Sequence, residues 1–105
     1  MTKLLLLALL SLVAAAPASA ASLALNLTNN SGDAINIVTA TPKGATETST
    51  QNVLASPIPN DEPGDAAIEA AEGTCVFDLT FTLASGKTIS TPNTDICQTD
   101  TIVVE

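Results

Sequence analysis

Cys75-Val76-Phe77-Asp78-Leu79-Thr80-Phe81-Thr82-Leu83 is the stretch that decides the fold class. Successive side chains on an extended strand point to opposite faces. Here Cys75, Phe77, Leu79, Phe81 and Leu83 share one face, and Val76, Asp78, Thr80 and Thr82 share the other. Strict alternation of this kind fits the two-residue period of a half-buried strand and not the period of an amphipathic helix. Both phenylalanines of the protein lie on the apolar face, so this strand is expected at the centre of the core.

Working towards the C-terminus, Ala84-Ser85-Gly86-Lys87 reads as a tight turn and residues 88–91 as a returning partner strand, broken at Pro92-Asn93. Asp95-Ile96-Cys97 then brings back the second of the two cysteines, and Thr101–Val104 reads as a closing strand. Towards the N-terminus, residues 65–73 are ambiguous. Ala66-Ala67-Ile68-Glu69-Ala70-Ala71-Glu72 has high helix propensity, with Asp65 placed as an N-cap and Gly73 as a stop. A lone short helix in a β chain is out of keeping with its surroundings, and context overrides propensity, so the reading leans towards strand. Residues 41–65 carry most of the prolines among Thr, Ser and Asn, with Val53-Leu54 as the apolar anchor. They read as a long loop with a short edge strand near residues 51–55. Before it, residues 22–28 place Leu23, Leu25 and Leu27 on one face, Asn29-Asn30-Ser31-Gly32-Asp33 is dense in turn formers, and residues 34–40 resume alternation at Ile35 and Ile37. Together these predict a hairpin. The whole reads as all-β, a small antiparallel β-sandwich of six to seven short strands with one disulfide.

The first twenty residues have the organisation of a Sec-type secretion signal. Lys3 supplies the positive start, residues 4–16 an apolar stretch interrupted by Ser11, and Pro17 a helix break before the small-residue pattern Ala18-Ser19-Ala20. The apolar run is shorter than the roughly 20 residues that span a bilayer. A retained signal anchor is the alternative. Cleavage after Ala20 predicts a single domain at 21–105, periplasmic or secreted, with no membrane anchor; the lack of an Arg-Arg pair argues against twin-arginine export, and the lack of a cysteine just after the cut argues against a lipid anchor. The remaining 85 residues make a small core that a covalent staple helps to stabilise. Cys75 and Cys97, an even count in an exported chain, are expected to bridge, with free thiols or a metal pair as the other reading.

The charge is lopsided. The whole chain carries −8, and losing Lys3 with the signal leaves Lys43 and Lys87 against eleven carboxylates, a net −9 with no arginine. Such a surface repels phosphate backbones and anionic lipid, which argues against nucleic-acid binding and membrane docking. It serves solubility or a salty medium, or else offers a face to a cationic protein.

Histidine, tyrosine and tryptophan are absent. Without histidine the usual general base and the commonest transition-metal ligand are missing, so a Ser-His triad is impossible and a histidine copper site is excluded. Without Tyr and Trp there are no flat rings of the kind that stack on sugars or bases. A carboxylate-pair glycosidase needs a cleft that a chain this size hardly walls. No catalytic residue, no enzyme activity and no cofactor are therefore expected. Asn60-Asp61-Glu62-Pro63-Gly64-Asp65 gathers Asp61, Glu62 and Asp65, oxygen ligands of the type calcium takes, but without EF-hand spacing and with Pro63 restricting the backbone. A solvated acidic turn is the simpler reading. Asn26-Leu27-Thr28 and Asn29-Asn30-Ser31 match the N-glycosylation pattern, which arises easily in an Asn- and Thr-rich chain.

Several motifs resemble those of a family of small exported bacterial proteins. The turn 29–32 with Ile35, Val38 and Thr41-Pro42 is similar to that family's opening, Gly73-Thr74-Cys75-Val76-Phe77-Asp78-Leu79 to its Gly-x-Cys-x-aromatic-Asp-Leu strand, and Asp95-Ile96-Cys97 with Ile102-Val103-Val104 to its Asp-Leu-Cys and closing strand. The resemblance implies a β-sandwich with the cysteines bridged, strand at residues 66–71, and no use for the glycosylation patterns. It brings no activity. This chain departs from the family where members often carry a middle-loop tryptophan and an arginine after Asp-Leu; here Thr80 follows Leu79. The functional expectation is an exported non-enzymatic module for binding or structure. The alternatives are a periplasmic inhibitor of a cationic, lysozyme-type hydrolase and a weak calcium binder.

Overall fold

The computed structural model describes residues 20–105, and the secretion signal read in the sequence lies, but for Ala20, outside the described residues. Six strands follow one another without a helix among the described residues: β1 (Ala20–Asn29), β2 (Ile35–Pro42), β3 (Pro63–Ala71), β4 (Val76–Leu83), β5 (Thr88–Asp95) and β6 (Thr101–Val104). They form two three-stranded sheets, β3-β1-β6 and β2-β4-β5, packed as a sandwich around one apolar core.

The alternation of the deciding stretch is realised on β4. Phe77, Leu79, Phe81 and Leu83 are buried, and Phe81 has no exposed surface at all. β4 is the middle strand of its sheet, so its outer face is screened on both flanks. The facing sheet contributes Leu25 and Leu27 from β1, Ala66 and Ile68 from β3, and Val104 from β6. The ambiguous segment is strand: all of β3 pairs antiparallel with β1, from Ala20 opposite Ala71 to Thr28 opposite Pro63. Its inward register of Ala66 and Ile68 supplies buried apolar surface, which outweighs the helix preference of alanine.

The predicted hairpin between residues 22–28 and 34–40 does not form. β1 and β2 lie in different sheets, and residues 30–34 arch across the core from one to the other. Alternation specifies which face a strand buries and not which strand it pairs with; both arms bury one face, and the sandwich lets those faces meet each other. Ile37 is a second correction. A bulge between Ile35 and Ile37 shifts the register, so Val38 and Ala40 turn inward while Ile37 is 40% exposed. A third concerns the all-antiparallel expectation: β6 pairs with β1 in parallel, Asn26 opposite Thr101 to Asn29 opposite Val104.

Pro92-Asn93 does not end β5. The strand passes both residues through a bulge opposite Asp78. Asn93 takes a left-handed φ of 52° and its N–H donates to Asp78 Oδ1 at 2.9 Å, which replaces the lost ladder bond. The expected edge strand at 51–55 shrinks to a single bridge, Leu54 opposite Ala66, and a second bridge joins Ile58 to Ile35. Ile58, not Val53-Leu54, is the deep anchor of this loop, 2% exposed. It sits over Gly64, where a Cβ would overlap the Ile58 side chain. Gly64→Ala should therefore destabilise the domain by about 1–3 kcal/mol, the usual cost of overpacking. Urea denaturation would read this as a lowered midpoint at unchanged slope.

The two cysteines are bridged across a 22-residue separation. Cys75 precedes β4 and Cys97 follows β5, and the Ile96 N–H donates to the Cys75 carbonyl at 3.0 Å. The staple thus holds the point where the chain leaves the β2-β4-β5 sheet to reach β6.

Candidate functional site

Among the described residues the surface holds no pocket. What the fold positions is instead an acidic exterior, a buried asparagine at one end of the sandwich, and four strand edges with different fates.

All eleven carboxylates lie at the surface, nine of them on exposed residues and those of Asp33 and Asp95 on half-buried ones. Asp65 and Glu69 stand on the outer face of β3, Asp78 on that of β4, and Glu47, Asp61, Glu62, Glu72, Asp100 and Glu105 on connections or ends. Three carboxylates are tied to backbone. Asp78 takes the bulge amide, Asp95 Oδ1 accepts from Cys97 N–H at 3.1 Å, and Asp33 accepts from Ala34 N–H at 2.8 Å and Ser85 N–H at 2.9 Å. The Ser85 amide, and after it the Ala34 amide, hold the Asp33 carboxyl below the usual aspartate range. Because its folded pKa is depressed, Asp33 contributes stability above the pKa of the unfolded chain, and that contribution is lost as pH falls through the folded value. The melting temperature gap between wild type and Asp33→Asn should therefore be present at neutral pH and close as pH drops below about 3.9. A gap that stays constant into strong acid would contradict this role for the carboxylate.

The suggested calcium ligands are not brought together. Asp61 and Glu62 lie on the connection before β3, where the Asp61 N–H donates to the Asn29 carbonyl at 2.6 Å and the Glu62 carbonyl accepts from Asn29 N–H at 2.9 Å. Asp65 stands farther on, within β3 and opposite Asn26. Among the described residues one group of three potential metal ligands does converge, Cys75, Asp95 and Cys97, within 4.8 Å. Its two sulfurs are bonded to each other and so are not thiolate ligands.

Asn29 is the polar residue that reading the sequence as turn and glycosylation pattern missed. It has no exposed surface. Its Nδ2 donates to the carbonyls of Asp33 at 2.7 Å and Ile58 at 2.9 Å. Its Oδ1 accepts from Ser31 N–H at 3.0 Å and Ser31 Oγ at 2.6 Å. The side chain thus pins the arch 30–34 and the Ile58 connection to the end of β1. The signal was present: Asn29 continues the inward register of Leu23, Leu25 and Leu27. Asn26, by contrast, is exposed on the outer face of β1.

Two of the four sheet edges are covered by a connection and a third is interrupted by a proline. On β2, Val53 N–H donates to the Val38 carbonyl at 2.8 Å and the Asn52 side chain accepts from Val38 N–H at 2.9 Å. On β3, Ala67 N–H donates to the Val53 carbonyl at 3.1 Å. Val53 therefore joins both sheets and closes that side of the sandwich. On β5, Leu83 N–H donates to the Lys87 carbonyl, so by alternation the backbone groups of Thr88, Ser90 and position 92 face outward. Position 92 is Pro92, which has no N–H to offer, and the bulge bends the strand beyond it.

β6 has no such cover among the described residues. Asn26 N–H donates to the Asp100 carbonyl at 2.7 Å and Asn30 N–H to the Val104 carbonyl at 2.8 Å. In a parallel ladder this turns the groups of Ile102 and Val104 towards β1 and those of Thr101 and Val103 away from it.

Comparison of the chain with protein-family models, with curated proteins and with solved structures finds no match.

Proposed function

We propose that this protein is an exported, non-catalytic binding module that offers its acidic surface to a cationic protein. The observation that carries this reading is the placement of charge: eleven carboxylates at the surface of both sheets and their connections, against exposed Lys43 and Lys87. A field of one sign steers an oppositely charged partner and raises its association rate, most strongly at low salt. The absence of histidine supports a role without acid–base chemistry. Export is supported by the Cys75–Cys97 bridge, since disulfides persist in oxidising compartments, and by the signal-like first twenty residues. No helix among the described residues is long and apolar enough to cross a membrane. The periplasm or the exterior of the cell is the compartment that fits.

A basic hydrolase of the lysozyme type is the first partner to try, because its positive cleft would complement a surface of this charge. The oxidised protein should be retained on immobilised lysozyme at low ionic strength and released as salt shortens the screening length from roughly 30 Å to below 10 Å. Retention should be lost on an acidic protein of similar size. Equal behaviour on both columns, or retention indifferent to salt, would end the reading. Inhibition of hydrolysis in the same buffer would narrow the module to an inhibitor.

A further inference from the structure

We infer that the outer edge of β6 is a docking strand for an extended cationic segment of the partner, which adds to the β3-β1-β6 sheet next to Thr101–Val104. The inference rests on the binding-module reading above and names where and how the partner engages.

An unpaired strand edge is a row of donors and acceptors ready to pair with another chain, and proteins usually blunt it. This protein covers two of its edges with the Asn52-Val53 connection, on β2 and on β3, and interrupts the β5 edge with Pro92 and a bulge after the outward-facing Thr88 and Ser90. On β6 the outward amides and carbonyls of Thr101 and Val103 meet neither a proline, a lysine nor a covering loop among the described residues. The sandwich is thus closed along its β2/β3 side and open at β6.

Two further features say what fits there. Ile102 points inward from β6 and packs on the core yet remains only half-buried, while its neighbour Val104 is 2% exposed. The core is unfinished at that edge, and an apolar side chain on an added strand would cover the remainder of Ile102. On the outer face, Val103 is 50% exposed, and Asp100 and Glu105, both exposed, flank the strand on either side. A segment alternating apolar and basic residues matches both faces: apolar inward against Ile102, Lys or Arg outward towards the flanking carboxylates. Main-chain hydrogen bonds give such strand addition its affinity, and alternate side chains give it selectivity. A second copy of this chain is the poorer occupant, because its own net −9 would oppose the same carboxylates.

The test uses the oxidised protein and a blocked synthetic peptide alternating lysine and valine, with a glutamate–valine peptide as control. Amide hydrogen exchange at Thr101 and Val103 should slow on the order of tenfold or more at saturation with the lysine peptide, and not with the control. Val103→Pro removes one outward donor and leaves Thr101 as the amide to read, and Val103→Lys places a gatekeeper on the edge while keeping every ladder bond to β1; both should abolish the protection that can be read in them. If the peptide binds but protection appears elsewhere, or survives Val103→Lys, the edge assignment fails and the binding module stands. Retention on neither the peptide nor the basic-protein column would bring down both. Protection of the same two amides in the protein alone, with a doubled mass in sedimentation, would replace the foreign segment by a second copy.

Discussion

Replacing Cys75 and Cys97 together by serine should cost about 3 kcal/mol, the loop-closure value for a 22-residue separation. A domain this small has on the order of 5 kcal/mol to lose, so the variant should keep only about 2 kcal/mol and melt well below the oxidised protein. The effect is concentrated where the chain changes sheets. The bridge and the Ile96–Cys75 backbone bond fix residues 96–100, and β6 takes its position from them. Urea denaturation of the oxidised protein, the reduced protein and the double variant measures this directly. Equal midpoints for oxidised and reduced protein would show that the apolar core suffices alone.

Asn29→Ala should be the costliest single change outside the apolar core, about 2–4 kcal/mol, combining lost hydrogen bonds and a small cavity. The cost has a ceiling that the geometry explains. The Ile58 carbonyl keeps the Ile35 N–H at 2.9 Å, and the Ser31 hydroxyl, freed from Asn29 Oδ1, lies 2.9 Å from the Asp33 carbonyl and can donate to it, so neither acceptor is orphaned. What is lost is the tie between β1, the arch and the Ile58 connection. Asn29→Asp should be worse than Asn29→Ala at neutral pH, since a carboxylate there would face two carbonyls without solvent, and should recover in acid as it protonates. Matching melts for wild type and Asn29→Ala would show that the arch holds without its buried amide.

What could be read from residues alone was the set of faces. The β4 pattern was unambiguous because five alternating apolar positions have no helical solution, and residues 65–73 could be weighed as strand because so much of the chain around them was β. Partnership was not legible. Leu25 and Ile35 carry the same inward signal whether their strands pair side by side or stack across a core, and the turn formers at 30–34 serve a hairpin and an arch equally well. Register inside β2 was hidden for a similar reason, since a bulge at Asn36 leaves no mark beyond a choice between Ile37 and Val38. Asn29 was read as a turn former because its polarity masked its place in the Leu23-Leu25-Leu27 row. Among site residues, the acidic trio 61, 62 and 65 was suggested by nearness in sequence, and the strand that begins at Pro63 separates its members. The surface charge was fully legible, because eleven carboxylates on a small chain have nowhere but the exterior to go. The open edge of β6 was not, since which strand lies outermost is a property of the sheet order.

The parallel pairing of β1 with β6 sets a timetable. β1 is the central strand of its sheet, yet one of its neighbours is separated from it by almost the whole length of the domain. A ribosome or a translocation pore delivers β1 first and β6 last of the six strands, so a nascent chain must hold Leu25 and Leu27 without their final shield until β6 has emerged. Topologies dominated by such distant contacts fold in milliseconds to seconds rather than microseconds. For this chain, assembly is an event of completion: the domain cannot be acquired piece by piece from its first strand.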